Sequence, residues 1–322
     1  MSVDVNTAVS APVESDAVRS RWRSVLAATV AGVALAVLWS FSFVDSVIGD
    51  TIANGLLGHD AKESSISGVV PGLVFALVSG LAGTFTACNI AMASAFGPLS
   101  AAARSGSATA GESADPGGRP RSLRVLIRPV GFLTLGMVAV SGTYGFIGVL
   151  LGDSLPQLST ATVGDMPVRL LQASIVFGII ALVLLWMGLA SLGIFRDPFA
   201  SRPVARVVTL GALVGGFLVG RPFPLFNKLF HWAVEQGNPL VGAAAFFLQS
   251  LGNIAFISVV YASAILLTRG RLLAWIAGTP RRQALVSGTL LVGLGVFTLV
   301  YWDVRVPAMF GVGWFPTMPY NR

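Results

Sequence analysis

The chain alternates long apolar runs with short polar connectors. The first run, Val25–Val44, is about 20 residues long, enough for a helix to cross a bilayer. Further runs follow at about 69–99, 126–152, 170–195, 206–236, 241–267 and 284–302. The pattern predicts an all-α polytopic membrane protein with about seven transmembrane helices. Residues 1–24 are polar and mixed in charge, and are expected to form a disordered cytoplasmic tail. Residues 25–46 read as an extra N-terminal transmembrane helix. The run is too long for a signal h-region and lacks a small-residue cleavage site, so it reads as an uncleaved anchor. The connector 100–124 is rich in Gly, Ser, Ala and Arg, as a flexible loop would be. Residues 303–322 are expected to form an extracytoplasmic tail, with Trp314, Phe315 and Tyr320 suited to the membrane interface.

Two runs are too long. A straight helix over 69–99 or 206–236 would extend about 46 Å, against a hydrocarbon core of roughly 30 Å. Each is interrupted. The first contains GTFTACN, Gly83–Asn89, and the second GRPFP, Gly220–Pro224. Pro222 and Pro224 both lack the N–H donor and clash with the preceding turn, so a regular helix cannot pass through them. Each broken segment is followed by two ordinary spans. The expected layout is therefore a three-helix repeat at 69–195 and a second at 204–302. Three spans is an odd number, so the second repeat enters the membrane inverted. In such folds the broken helices meet near the midplane and build the working site. The plainer alternative is two kinked helices that happen to match.

Composition supports the membrane reading: hydrophobic residues make up 54% of the chain and charged residues 11%. Soluble domains carry about 25% charged residues. The net charge of +7 does not point to nucleic acid, because the basic residues fall in short connectors. Fifteen of the 21 lie on one side of the seven-span layout, while Lys62, Arg169, Arg221, Lys228, Arg305 and Arg322 lie on the other. This places the N-terminus in the cytoplasm and the C-terminus outside, in the plasma membrane of a bacterium. There is one cysteine, Cys88, and there are two histidines, His59 and His231. No CxxC or HExxH occurs, so no metal site or cofactor is expected.

The stretches GLAGTFTACNIAMASAFGPL (80–99) and GRPFPLFNKLFHWAVEQGNPLVGAAAFFLQSLGNIAF (220–256) resemble the CcdA/DsbD family. These are the transmembrane thiol–disulfide electron transporters of cytochrome c biogenesis. The resemblance covers about 70–302. It implies one reactive cysteine in each broken helix, and transfer of reducing equivalents between thioredoxin-like proteins across the membrane. Cys88 matches the first cysteine. The second position is matched by Phe223, and the proline usual before the first cysteine is Ala87 here. An ordinary two-cysteine relay is therefore impossible within this chain, since a mixed disulfide needs a second thiol to resolve it. What the resemblance leaves is a one-cysteine member that uses a partner's thiol. The alternative is a redox-inactive relative serving as a small-solute carrier or a non-catalytic scaffold subunit.

The remaining candidates divide by position. Gly83, Thr84, Thr86 and Asn89 surround Cys88 and would line a cavity at the break or bond freed backbone groups. Arg221 is a charge beside the second break, at a depth where charges are rare unless functional. Gln249 and Asn253 are four apart on one face of an apolar span, and buried amides need partners. Lys228, His231 and Glu235 recur at helical spacing opposite Leu225, Leu229 and Trp232, which suits an outer docking surface. For each, helix packing or a solvated face is the alternative.

Overall fold

The structure is a computed structural model that describes residues 11–40, 43–83, 121–218, 223–268, 271, 275–276, 278–316 and 318–319. Among these residues the structure is all-α apart from one two-stranded hairpin. The helices are α1 (Ala11–Leu38), α2 (Asp50–Leu57), α3 (Val69–Ala82), α4 (Arg121–Leu151) and α5 (Val168–Ser191). They continue with α6 (Pro203–Gly216), α7 (Pro224–Glu235), α8 (Pro239–Leu267), α9 (Pro280–Leu299) and α10 (Val306–Met309). π-Helical turns at Phe43–Gly49 and Val300–Arg305 lead into α2 and α10. The strands β1 (Thr162–Val163) and β2 (Met166–Pro167) pair antiparallel between α4 and α5.

Among the described residues, four spans are long and apolar enough to cross a membrane: Arg19–Leu38, Val130–Ser154, Val168–Ser191 and Pro280–Met309. Helix α5 shows the division of faces. Leu171, Ile175, Ile179, Leu182 and Trp186 form an exposed stripe at helical spacing, while Phe177, Leu184 and Met187 on the other side are buried. A continuous apolar stripe of this kind fits lipid, not water. The chain is a helical membrane protein.

Three expectations are corrected. Residues 11–24 belong to α1, where a disordered tail was expected. They contain no glycine, and Pro12 sits in the first turn, where its missing N–H costs nothing. Helix α1 also ends at Leu38, short of 46. At the other end the helix does not stop at 302. Its π-turn carries it to Met309, and Arg305 is 4% exposed instead of lying in a tail. Arg305 Nη1 donates to the carbonyls of Ala36 at 2.8 Å and Trp39 at 2.7 Å, a cation placed on the C-terminus of α1. The rings of Tyr301 and Phe315 lie 5.1 and 6.0 Å from its guanidinium.

Glycines set the packing. In lipid, helices gain little from burying apolar surface, so association depends on close backbone approach. A methyl group added at Gly145 in α4 would lie 2.6 Å from the Gly242 carbonyl in α8, and one at Gly242 2.7 Å from the Gly145 carbonyl. Gly188 in α5 and Gly288 in α9 face each other in the same reciprocal way. Gly80 and Gly252 bring α3 onto α8, and Gly136 and Gly211 bring α6 onto α4. The residue pairs also fix directions. Helix α4 runs parallel to α6, with Leu133 by Gly211 and Met137 by Gly215, and antiparallel to α8, with Val149 by Gly242 and Ser141 by Ser250. Helix α9 is antiparallel to α5 and parallel to α1, where Gly32 meets Gly293 and Val296. Buried Ser250 adds a hydrogen bond to Ser141 at 2.6 Å.

A methyl at Gly145 has nowhere to go, whereas one at Gly131 meets nothing within 4 Å. Gly145→Ala is expected to cost about 1–3 kcal/mol, the usual range for overpacking, seen as a lower melting temperature in detergent. Gly131→Ala should melt like the parent. Equal melting of all three would show that the α4–α8 approach is not tight.

Candidate functional site

The site forms where the second break begins α7. Helix α6 ends at Gly216, with Phe217 and Leu218 closing its last turn. Phe223 is extended (φ −74°, ψ 138°), the conformation favoured before a proline, and Pro224 takes the first helical position. Helix α7 is held by its apolar face, where Leu225, Phe226, Leu229, Phe230 and Trp232 are buried. Phe226, Phe230 and Phe246 of α8 pack with centroids 5.3 Å apart across the α7–α8 contacts. Gly72 leaves room for the Trp232 indole against α3.

Helix α3 stops at Ala82, and the Gly83 N–H turns back to the Ser79 carbonyl. Gly83 and Phe223, one from each interrupted segment, line the same small cavity of about 20 Å³. Asp45, Ser79 and Gln249 complete its polar wall. This volume holds about one water. Gln249 is 1% exposed, and its Oε1 has no hydrogen-bond partner among the described residues. Asn253, one turn further along α8, is also 1% exposed. Cys88, Thr84, Thr86, Asn89, Arg221 and Pro222 lie outside the described residues.

Asp45 and the turn that carries it were not anticipated from the sequence. Residues 43–57 contain no run long enough to span a membrane and read as a connector. The signal available was Val44, Val47, Ile48 and Ile52 at helical spacing with Asp45 and Asp50 among them. Asp45 is 8% exposed and pairs with Lys62 at 3.2 Å, while Asp50 pairs with Lys62 at 2.6 Å. Burial works against the Lys62 ammonium, but Asp50 and Asp45 outweigh it and raise its pKa above 10.5.

Lys228 is not the docking residue expected. Its ammonium donates to the carbonyls of Ala61 at 2.6 Å, Lys62 at 3.1 Å and Ser64, and sits 5.5 Å from the Phe75 ring. It therefore fastens the 58–68 connector onto α7, and all three of its N–H donors have acceptors. His231 and Glu235 remain exposed. His231 faces a second cavity of about 260 Å³ beside the α4–α5 connector, together with Gln157, Arg169 and Asn227.

No family model matches the chain. No match was found among curated proteins or solved structures. Among the described residues no group of His, Cys, Asp or Glu is placed to hold a metal.

The 58–68 connector should respond to Lys228 and to pH. Lys228→Met is expected to cost about 1–3 kcal/mol through lost charge-assisted bonds and unpaired carbonyls, with faster amide exchange confined to 58–68. The Asp60 carboxyl is held below 3.8 by the backbone N–H groups of Glu63 and Lys62. Its contribution is present above pH 3.8 and is lost as pH falls through the lowered value. The Lys62 contribution is complete below pH 10.5 and is lost as pH rises through the raised value. Exchange in 58–68 should therefore keep its protection, relative to the rest of the bundle, between about pH 5 and pH 9. Selective loss of protection inside that window would contradict the assignment.

Proposed function

We propose that this is a CcdA/DsbD-like membrane protein with a one-cysteine thiol site at the meeting point of its two helix breaks. The observation that carries the reading is the shared cavity of Gly83 and Phe223. Gly83 opens the GTFTACN segment, and Cys88 follows five residues later. Phe223 stands where the family resemblance places the second thiol.

The packing supports the three-plus-three layout. Exchanging α3 with α6, α4 with α8 and α5 with α9 turns the α3–α8 interface into the α6–α4 interface. The same exchange maps α4–α8 and α5–α9 onto themselves. At those two self-paired interfaces the glycine contacts are reciprocal, Gly145 with Gly242 and Gly188 with Gly288. Reciprocity of this kind is the mark of a two-fold axis. Equivalent helices run antiparallel, as they must in an inverted repeat. With α1 added, the chain crosses the plasma membrane seven times, N-terminus in and C-terminus out.

With one cysteine, exchange requires two partners. The Cys88 thiolate attacks the disulfide of an oxidised thioredoxin-like protein and forms a mixed disulfide, releasing the acceptor's other sulfur as a thiolate. A thiolate of a dithiol donor then attacks Cys88 Sγ and frees the reduced acceptor. The donor's second thiolate closes its own disulfide and restores Cys88. Two electrons pass from donor to acceptor, and Cys88 ends as it began.

Acid-quenched thiol trapping in cells, followed by non-reducing electrophoresis and mass spectrometry, tests this. A Cys88-dependent adduct to a thioredoxin-like protein is expected, lost in Cys88→Ser. A Cys88 that stays reduced and without adduct under oxidising growth would overturn the thiol role.

A further inference from the structure

We infer that the cavity beside the α4–α5 connector binds a small organic carboxylate. This inference is independent of the thiol reading and uses none of its residues. The connector 152–167 folds over α7 instead of looping free. A short 3₁₀ turn at Gly152–Ser154 starts it, and the β1–β2 hairpin ends it. The Val168 N–H donates to the Ala161 carbonyl at 3.0 Å and closes the hairpin onto the start of α5. Gln157 is 2% exposed and donates through Nε2 to Asn227 Oδ1 of α7 at 2.5 Å. These bonds tie the connector to the start of α5 and to α7.

The space is open on one side and measures about 260 Å³. That is more than an inorganic ion needs and near the lower end for small-molecule sites, about 300–1,000 Å³. Its walls include Gln157, Thr160, Thr162, Arg169, Asn227 and His231. Arg169 supplies a permanent positive charge in a planar fork that matches a carboxylate with two parallel bonds. It sits in the first turn of the 24-residue α5, whose dipole also favours an anion there. The amides and hydroxyls can hydrogen-bond the rest of a polar solute. No acidic side chain belongs to the described walls. Asp165 lies in the hairpin turn, and Glu235 lies one turn along α7 from His231, and neither lines the space.

The feature has no counterpart at the helix breaks. There the cavity has room for about one water, its charged wall residue is Asp45, already paired with Lys62, and no Lys or Arg belongs to its described lining. The two cavities differ in size and in charge, so one ligand cannot serve both.

The test uses the full chain in phosphatidylcholine nanodiscs, with succinate as probe and calorimetry as readout. Saturable binding is expected, at least about tenfold weaker in Arg169→Gln, a loss of about 1.4 kcal/mol. It should also be weaker in His231→Gln. Arg169 and His231 are exposed, so both variants should melt like the parent. Succinamide, of the same size without the charge, should bind at least about tenfold more weakly than succinate. Three results would overturn the proposal: no saturable succinate binding up to roughly 10 mM, equal binding of succinamide, or unchanged affinity in Arg169→Gln. Tighter binding of inorganic phosphate than of succinate would overturn the carboxylate class.

Discussion

Backbone-to-backbone contact at glycine is the constraint on which the bundle rests. Lipid removes most of the hydrophobic gain from helix association, so van der Waals contact and a few hydrogen bonds must supply the rest. Gly80, Gly136, Gly145, Gly188, Gly211, Gly242, Gly252 and Gly288, spread over α3, α4, α5, α6, α8 and α9, each sit where a methyl group would crowd a facing carbonyl. The contacts with α8 and α4 decide where α3 and α6 end. Helix α3 packs on α8 through Gly80 and Gly252, so its last turn arrives beside Gln249. Helix α7 packs on the same α8 through Phe226 and Phe230, so Phe223 arrives there as well. The shared cavity follows from both helices using one neighbour.

Much of the framework could be read from the sequence because lipid-spanning helices leave a length signature. The apolar runs at 126–152, 170–195 and 241–267 correspond closely to α4, α5 and α8. The break at GRPFP was legible because proline chemistry is local, and α7 does begin at Pro224. Three features were not legible. The helical character of 11–24 is carried by propensity without periodicity. The π-turn at Val300–Arg305 extends a helix past the end of its apolar run, with Ser174 Oγ donating to the Trp302 carbonyl at 2.8 Å. The segment 43–57 is too short to announce itself, and it supplies Asp45 to the site.

Charged residues were harder still. Lys228, His231 and Glu235 share a helical spacing that suggests one surface with one role. The structure gives them different neighbours: three carbonyls for Lys228, a polar cavity for His231 and an exposed position for Glu235. Arg305 looked like part of an extracytoplasmic tail and instead caps α1 from inside the bundle. Periodicity tells which residues share a face, but not what the rest of the chain brings to that face.

Gly83 and Phe223 line one cavity, and the central proposal is that Cys88, five residues beyond Gly83, lies within reach of Phe223. It is tested by giving the second position its thiol. In Phe223→Cys, mild oxidation with copper–phenanthroline should join the new thiol to Cys88 in an intramolecular disulfide, read as loss of both alkylation sites and a Cys88-linked peptide pair by mass spectrometry. A disulfide needs Cα atoms within about 7 Å, so its formation would place the two breaks together. Two thiols that both stay open to alkylation, or that link only between molecules, would contradict the account.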